Sequence, residues 1–201
     1  MPKTKAQNEQ IKLERYNAIL DKALYLFAIK GYNAVKIDDI AEVCHCSHGL
    51  IYHYFGNKED LFFDLLDNVV TKKIGEIFDG INVNQNPKLV VTDYVNALLN
   101  AIGSSDDRYA CSIYLALNLR FQQKDIPHPK KFLKGIDVFQ AFLNVIEEGK
   151  KQGIIYDYDT REMMVTFLSL VKGLSFNRMN FGYKKFICPK SEIILNLLIK
   201  S

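Results

Sequence analysis

The chain has 201 residues, and 48% of them are hydrophobic, which is enough for a sizeable hydrophobic core. The formal net charge of +3 is too small to predict a nucleic-acid partner from bulk charge alone. No apolar run approaches the roughly 18 residues that a membrane span requires, and the N-terminus has no apolar core of a signal peptide. We therefore expect a cytoplasmic protein with no membrane partner.

Apolar residues recur at intervals of three and four along the chain, and alternating strand patterns are lacking, so the sequence predicts an all-α fold. The first predicted helix covers residues 9–30, and a short second helix begins near Ile37. Ser47 can cap a third helix, and Asn57 can cap a fourth that continues to about residue 80. Further helices are predicted near residues 87–102, 106–123, 128–150, 160–180 and 190–200.

The stretch GINVNQNPKL concentrates the turn-forming residues Asn, Gly and Pro, so we place a domain junction between Leu66 and Pro87. The last two predicted helices, residues 160–180 and 190–200, carry wide apolar stripes that favour a partner helix. We predict a two-fold four-helix interface there. Its predicted seam residues are Met163, Phe167, Leu170 and Leu174.

The stretch IAEVCHCSHGLIYHYFGNKEDL, residues 40–61, predicts two short helices joined by a tight turn. In a helix-turn-helix, the second helix can enter the major groove of DNA. Ala41 is expected where the helices cross, with Ile51 and Phe55 pointing inward. The positions turned outward suit contacts to base edges and are His48, Gly49, Leu50, Tyr52 and His53. Tyr54 and Lys58 flank this face and can reach phosphates.

The sequence ALYLFAIKGYNAVKIDDIAEVCHCSHGLIYHYFGNKEDL resembles the N-terminal DNA-binding region of TetR-family transcriptional regulators. The resemblance implies a helix-turn-helix domain over residues 1–60, a connecting helix over 58–80, and a helical ligand-binding and dimerisation domain over 61–201. It also implies a homodimer that binds a palindromic double-stranded DNA operator and a small-molecule effector that releases the DNA. The matching residues are Ile19, Ala23, Phe27, Gly31, Ile40, Ala41, Ser47, Gly49, Ile51, Tyr52, Tyr54, Phe55, Lys58, Glu59 and Leu61.

The sequence departs from the TetR pattern at three positions of the helix-turn-helix. His45 stands in the turn where Gly is usual, and a left-handed conformation is less costly for His than for most residues. Lys36 stands at a helix N-cap usually filled by Thr or Ser, so the cap hydrogen bond is lost or comes from Asp38 or Asp39. A phosphate contact there becomes a charge contact from Lys36, and His48 replaces a common Lys. The predicted DNA-binding residues are Lys36, Ser47, His48, Gly49, Leu50, Tyr52, His53, Tyr54 and Lys58.

Aromatic and polar side chains of the C-terminal half can line an effector cavity between helices. The predicted effector-binding residues are Tyr109, Tyr114, Asn118, Phe121, His128, Phe139, Phe176, Asn177 and Arg178. Tyr94 and Cys111 are further candidates for the same cavity.

Two cysteines and three histidines between Cys44 and His53 also have the composition of a zinc or copper site. Cys44 and Cys46 occupy positions where the TetR pattern has Ala and Val, so core filling is the preferred interpretation and we predict no metal and no cofactor. The sequence has no paired carboxylates, nucleophile elbow or phosphate-binding loop, so we predict no enzyme. Two alternatives stay open, a metal- or thiol-responsive helical protein that uses Cys44 and Cys46, and an enzyme with an unrecognised site.

Overall fold

The structure is a computed structural model that describes residues 4–121 and 138–200. The predictions for His128 and for the side chains of Phe121 and Phe139 lie outside the described part of the chain. The regular secondary structure of the described part is helical apart from one isolated antiparallel bridge between Ile155 and Ile199, which confirms the predicted all-α fold. Within this part, no helix is both long and apolar enough to cross a membrane.

The N-terminal helices follow the sequence prediction closely. They are α1 (Lys5–Lys30), α2 (Ile37–Val43), α3 (His48–Phe55) and α4 (Lys58–Leu65). α1 starts earlier than predicted because Thr4 and Gln7 form a capping box, in which the Gln7 side chain accepts from the Thr4 N–H at 2.9 Å. It ends at Gly31, whose φ of 77° lies in the region that favours glycine.

The remaining helices build the C-terminal part of the chain. A π-helical turn (Leu66–Val70) joins α4 to α5 (Thr71–Phe78), so the predicted long connecting helix is present but interrupted. Such turns often mark functional sites within helices. The later helices are α6 (Pro87–Ile102), α7 (Asp107–Phe121), α8 (Val138–Lys151), α9 (Thr160–Phe181) and α10 (Ser191–Leu195).

The prediction of one helix over residues 190–200 is wrong beyond Leu195. There the chain leaves the helix and pairs with the segment after α8: the Tyr156 N–H donates to the Leu198 carbonyl, and the Lys200 N–H donates to the Ile154 carbonyl. Leu198 and Ile199 are adjacent in sequence, yet both are buried. Tertiary burial of two neighbouring side chains therefore overrides the helical spacing of the apolar residues.

One continuous hydrophobic core extends from α1 to the C-terminal segment. The predicted stripe of α1 is confirmed, since Ile19, Ala23 and Phe27 have no exposed surface. α1 packs against α7 as well as against α2 and α4, so the helix-turn-helix rests directly on the C-terminal helices. The division of the chain at residue 60 stays a prediction.

Candidate nucleic-acid interface

The start of α3 is fixed by a side-chain cap. The Ser47 hydroxyl accepts a hydrogen bond from the Leu50 N–H at 3.2 Å, which confirms Ser47 as the N-cap. At the other end, the Gly56 N–H donates to the Tyr52 carbonyl at 2.9 Å and Gly56 has a φ of 74°. α3 is thus a helix of 8 residues with both ends defined by the local sequence.

The turn between α2 and α3 is tight. His45 has a φ of 49° and, in the described ranges, is the one non-glycine residue with positive φ, so it adopts the left-handed conformation whose cost was considered from the sequence. The Cys46 N–H donates to the Ala41 carbonyl at 3.0 Å and closes the turn. This closure sets the angle at which α3 leaves α2.

The N-terminus of α2 lacks the usual side-chain cap. Lys36 occupies the cap position, and its ammonium group can only donate hydrogen bonds. Asp39 compensates in the reverse direction, since its carboxylate accepts from the Lys36 N–H at 2.8 Å and from the Lys30 ammonium at 3.1 Å. These two hydrogen bonds, the backbone one foremost, lower the pKa of Asp39. Of the two predicted outcomes, the cap hydrogen bond itself is lost, and Asp39 supplies only the reverse one.

One face of α3 is buried and the opposite face is exposed. Ile51 and Phe55 are buried beneath the helix, and the Phe55 ring stacks on Tyr16 of α1 with 5.0 Å between centroids. The Tyr16 hydroxyl donates to Asp64 of α4 at 2.9 Å, and burial together with this carboxylate raises the pKa of Tyr16 to about 12. α3 therefore packs between α1 and α4.

The exposed face of α3 contains four of the five predicted outward positions. They are His48, Gly49, Tyr52 and His53, whereas Leu50 is half-buried. The Tyr52 side chain is 44% exposed and meets the edge of the His48 ring at 4.9 Å between centroids. His48 Nε2 also lies 3.4 Å from the Asp38 carboxylate. The face therefore presents two imidazoles, a phenol and an open backbone position to solvent.

Lys58, predicted to contact a phosphate, has other partners in the structure. Its ammonium group donates to the carbonyls of Tyr32 and Val35, both at 3.0 Å, and lies 4.3 Å from the centre of the Tyr32 ring. Burial lowers the pKa of Lys58. A phosphate would have to compete with these carbonyls, so the phosphate role stays a prediction. Tyr54 is half-buried, with its ring 6.2 Å from that of Phe55.

The two cysteines pack against the core rather than forming a ligand cluster. Cys44 and Cys46 are half-buried. Burial, and to a smaller extent the neighbouring Cys46, raises the pKa of the Cys44 thiol to about 11. His48 and His53 lie on the exposed face. Over residues 4–121 and 138–200, no three His, Cys, Asp or Glu side chains are arranged to hold a metal ion. The geometry favours core filling over the metal-responsive alternative.

Those predicted effector-binding residues whose side chains the structure describes do not all line one cavity. The Tyr109 hydroxyl donates to Glu76 of α5 at 2.8 Å, which is the main reason that the pKa of Tyr109 is raised. Arg178 is only 1% exposed and pairs with Asp107 at 2.6 Å and with the Ser104 carbonyl at 2.7 Å. The buried guanidinium is therefore bound to the start of α7, and an effector-binding role of Arg178 stays a prediction.

Four other members of this set lie near one another or on the surface. Tyr114 and Asn118 line one cleft on α7. The Phe176 ring lies 5.6 Å from the Tyr114 ring, and Asn177 is exposed. Sequence reasoning missed the other contributors to this cleft, Lys172 and the loop after α1, because no local pattern indicates which distant segment faces α7.

Charged side chains connect α1, α5 and the start of α7. Arg108 makes a double hydrogen bond to Asp106 at 2.8 Å and lies 3.5 Å from Asp21 of α1. The Asp106 hydrogen bond holds the pKa of Arg108 above its ordinary value. Lys73 of α5 lies 2.7 Å from Glu76 and 3.6 Å from Asp106. The links between these segments were not foreseen, since Asp21, Lys73 and Asp106 are far apart in sequence.

Residues 19–65 match the family model described as bacterial regulatory proteins, tetR family. The regulator YuxN of Bacillus subtilis (strain 168) is 32% identical over 44% of this chain and 31% of its own length. The regulator HbdR of Aromatoleum sp. (strain CIB) is 44% identical over 28% of this chain. The aligned segment is only 25% of HbdR, so this chain spans less than half of the length of either relative. A fatty acid metabolism regulator protein of Bacillus subtilis (strain 168) is 27% identical over 71% of this chain and 70% of its own length.

Solved structures extend the similarity to the whole fold. HlyIIR, a hemolysin II transcriptional regulator, is 18% identical and aligns over 94% of this chain and 98% of its own with a TM-score of 0.67. A TetR-family regulator from Rhodococcus sp. is 20% identical and aligns over 91% of this chain and 94% of its own with a TM-score of 0.57. Fold and site thus define a helix-turn-helix protein of the bacterial regulator class. Residues 19–65 match the TetR family model, and the fold of the chain is similar to the folds of TetR-family regulators.

Proposed function

We propose that this protein is a homodimeric transcriptional repressor that binds a palindromic DNA operator through α3 and is released by a small-molecule effector. The observation that carries the proposal is the exposed face of α3, with His48, Gly49, Tyr52 and His53 opposite a buried face. The TetR-family match over residues 19–65 supports the same role.

The chemistry of the exposed face suits the major groove. Imidazoles at positions 48 and 53 can donate to or accept from base edges, the Tyr52 hydroxyl can do the same, and Gly49 lets the backbone come close. Lys36 is exposed and makes no ion pair with a described residue, so its charge is available for a phosphate. Phosphate contacts position the protein on the DNA, whereas contacts to base edges select the sequence.

Dimerisation is required by the geometry of DNA. Two copies of α3 can read one operator only if they are about 34 to 36 Å apart, because major grooves on the same side of B-DNA recur at that distance. We propose that α9 and the C-terminal segment form the dimer interface. Ser169 and Gly173 on α9 are small and exposed, so a second helix can approach closely.

The apolar surface beside these small residues supports this choice. A groove of about 260 Å³ runs between α9 and the C-terminal segment, and Leu170 and Leu197 line it. The Leu197 side chain is 50% exposed and that of Ile193 61%. Met163 and Phe167, predicted as seam residues, are instead buried in the core of their own chain. The proposed seam is therefore shifted towards the outer face of α9.

The effector can act through the contact between the two parts of the chain. α7 packs on α1 and is connected to it by the Arg108–Asp21 ion pair, so a shift of α7 moves the helix-turn-helix. The effector binds two dimer conformations, one whose α3 spacing fits the DNA grooves and one whose spacing does not. It can lower DNA affinity only by the ratio of its affinities for these two conformations.

The first experiment is selection of binding sequences from random duplex DNA, followed by titration of the best sequence. We expect a palindromic site with half-sites one helical turn apart, bound by two protomers with a Kd of about 10⁻⁸ M or tighter at physiological salt. Equal affinity for all sequences at that salt concentration would contradict the proposal.

The second experiment tests the interface with Leu197→Glu. Because Leu197 is half-exposed, the substitution should leave the helical circular dichroism signal intact, give monomers by light scattering and abolish specific operator binding. Leu170→Glu should also give monomers, but Leu170 is more buried and the substitution puts folding at greater risk. The control is Val83→Glu, another exposed apolar position, in the loop between α5 and α6. A Leu197→Glu protein that stays dimeric with full operator affinity would move the interface elsewhere.

A further inference from the structure

A cleft of about 370 Å³ lies where the helix-turn-helix domain meets the C-terminal helices. One wall is the last turn of α1 and the loop that follows it, residues 27–34. The opposite wall is formed by side chains from α7 and by Lys172 from α9. The volume is at the lower end of the range for small-molecule sites, about 300 to 1,000 Å³.

The cleft has an apolar base and a polar rim. Phe27, Leu115 and Leu119 close its base and are buried, whereas Ile29, which is 40% exposed, and the Tyr114 ring offer hydrophobic surface to an occupant. Tyr114 and Asn118 line it and are half-buried. Neither the Tyr114 hydroxyl nor the Asn118 amide has a hydrogen-bond partner among the described residues, so both remain able to bind a ligand.

The charge of the cleft is positive. Lys172 is half-buried and makes no ion pair with a described residue, and its ammonium group lies 5.6 Å from the centre of the Tyr114 ring. Lys30, also at the cleft, is paired with Asp39 at 3.1 Å. No Asp or Glu is among the described residues that line the cleft. A partly desolvated ammonium group without a counter-ion favours an anion.

We propose that this cleft binds a small organic acid with one negative charge and a flat apolar body. The carboxylate would pair with Lys172 and accept from the Asn118 amide. The body would lie against the Tyr114 ring and the Ile29 side chain. The effector role of this acid rests on the proposed repressor function. Binding of the acid to the cleft does not depend on that function.

The position of the cleft gives the occupant a route to the DNA-binding face. The loop that forms one wall contains Tyr32, whose carbonyl is held by Lys58 of α4 together with that of Val35. α2 begins two residues after Val35 and carries α3 behind it. An acid bound between this loop and α7 therefore fixes the orientation of α2 and α3 relative to the C-terminal helices.

The test uses 2-naphthoate as the probe and its neutral amide, 2-naphthamide, as the matched ligand. The chain contains no tryptophan, so naphthalene fluorescence anisotropy can be followed without indole emission. We expect wild-type protein to bind 2-naphthoate at least about tenfold more tightly than 2-naphthamide, as one hydrogen-bonded charge pair provides. Lys172→Gln should remove this preference, and Lys184→Gln, an exposed lysine outside the cleft, should leave it unchanged.

Three outcomes would overturn the proposal. One is equal 2-naphthoate affinity of Lys172→Gln and wild type, since binding then occurs elsewhere. Another is equal affinity of wild-type protein for the acid and the amide. A third is displacement of 2-naphthoate by inorganic sulfate at the same concentration as by a non-fluorescent aromatic acid. In that case the apolar surface of the cleft would contribute nothing to the affinity. Circular dichroism verifies that each variant is folded.

Operator binding without any probe separates this proposal from the proposed function. Lys172→Gln should bind the selected operator as wild type does. If the protein binds its operator but 2-naphthoate binding does not depend on Lys172, the cleft assignment alone is overturned. Lys172-dependent naphthoate binding by a protein that binds no operator supports the cleft and overturns the repressor function.

Discussion

Lys58 and Lys36 offer a paired test of structural against DNA-contacting roles in the helix-turn-helix. Lys58 donates two hydrogen bonds at 3.0 Å to the loop between α1 and α2, whereas Lys36 is exposed and its ammonium group has no bonding partner among the described residues. Replacing each by methionine keeps most of the aliphatic side chain and removes the charge. Lys58→Met should therefore lower the stability of the protein, whereas Lys36→Met should change the salt dependence of DNA binding.

The expected magnitude for Lys58→Met follows from its contacts. Hydrogen bonds to a charged group contribute about 1.5 to 3 kcal/mol each when buried, and partial exposure of Lys58 reduces this substantially. We expect the free energy of unfolding to fall by about 1 to 2 kcal/mol, which lowers the Tm by roughly 2 to 8 °C in a chain of this size. Lys36→Met should change stability by less than about 0.5 kcal/mol.

The salt dependence of DNA binding should show the reverse pattern. A phosphate contact releases about one counter-ion, so Lys36→Met should reduce the slope of log K against log salt by about one, and Lys58→Met should leave it unchanged. Thermal unfolding at one fixed protomer concentration and anisotropy titrations over a salt series measure the two quantities. A reduced slope with unchanged stability for Lys58→Met would refute the anchoring role and restore the phosphate contact predicted from the sequence.

The remaining predictions concern base reading and the cysteines. Tyr52→Ala should weaken binding to the selected operator by about 1 to 3 kcal/mol while affecting unrelated DNA little, as competition titrations can show; a uniform loss would contradict a base contact. Cys44→Ala and Cys46→Val should each change the free energy of unfolding by at most about 1.5 kcal/mol in denaturant titrations, and a bound metal lost with either thiol in elemental analysis would overturn core filling. Because the pKa of Cys44 is raised to about 11, its thiolate is scarce at neutral pH, and its alkylation rate should rise about tenfold per pH unit up to that pKa; a plateau near pH 8 to 9 would indicate an ordinary exposed thiol.

Much of the DNA-binding region was readable from the sequence because its determinants are local. Ser47 and Asn57 were expected to cap α3 and α4, and both do, since an N-cap hydrogen bond spans only three residues. The left-handed His45 and the buried positions Ile51 and Phe55 follow from the turn and the helical period. These features lie within a few residues of the groups that cause them.

Only the tertiary structure decided which distant segments meet. The 3.6-residue period placed Met163 and Phe167 on an apolar face of α9, but it could not tell whether that face meets its own chain or a second copy. The same limit explains Arg178, whose partners Ser104 and Asp107 are more than 70 residues away. It also explains Leu198 and Ile199, where pairing with the segment after α8 ends the predicted helix. A local pattern fixes which side chains share a face, and the packing of whole helices determines what that face contacts.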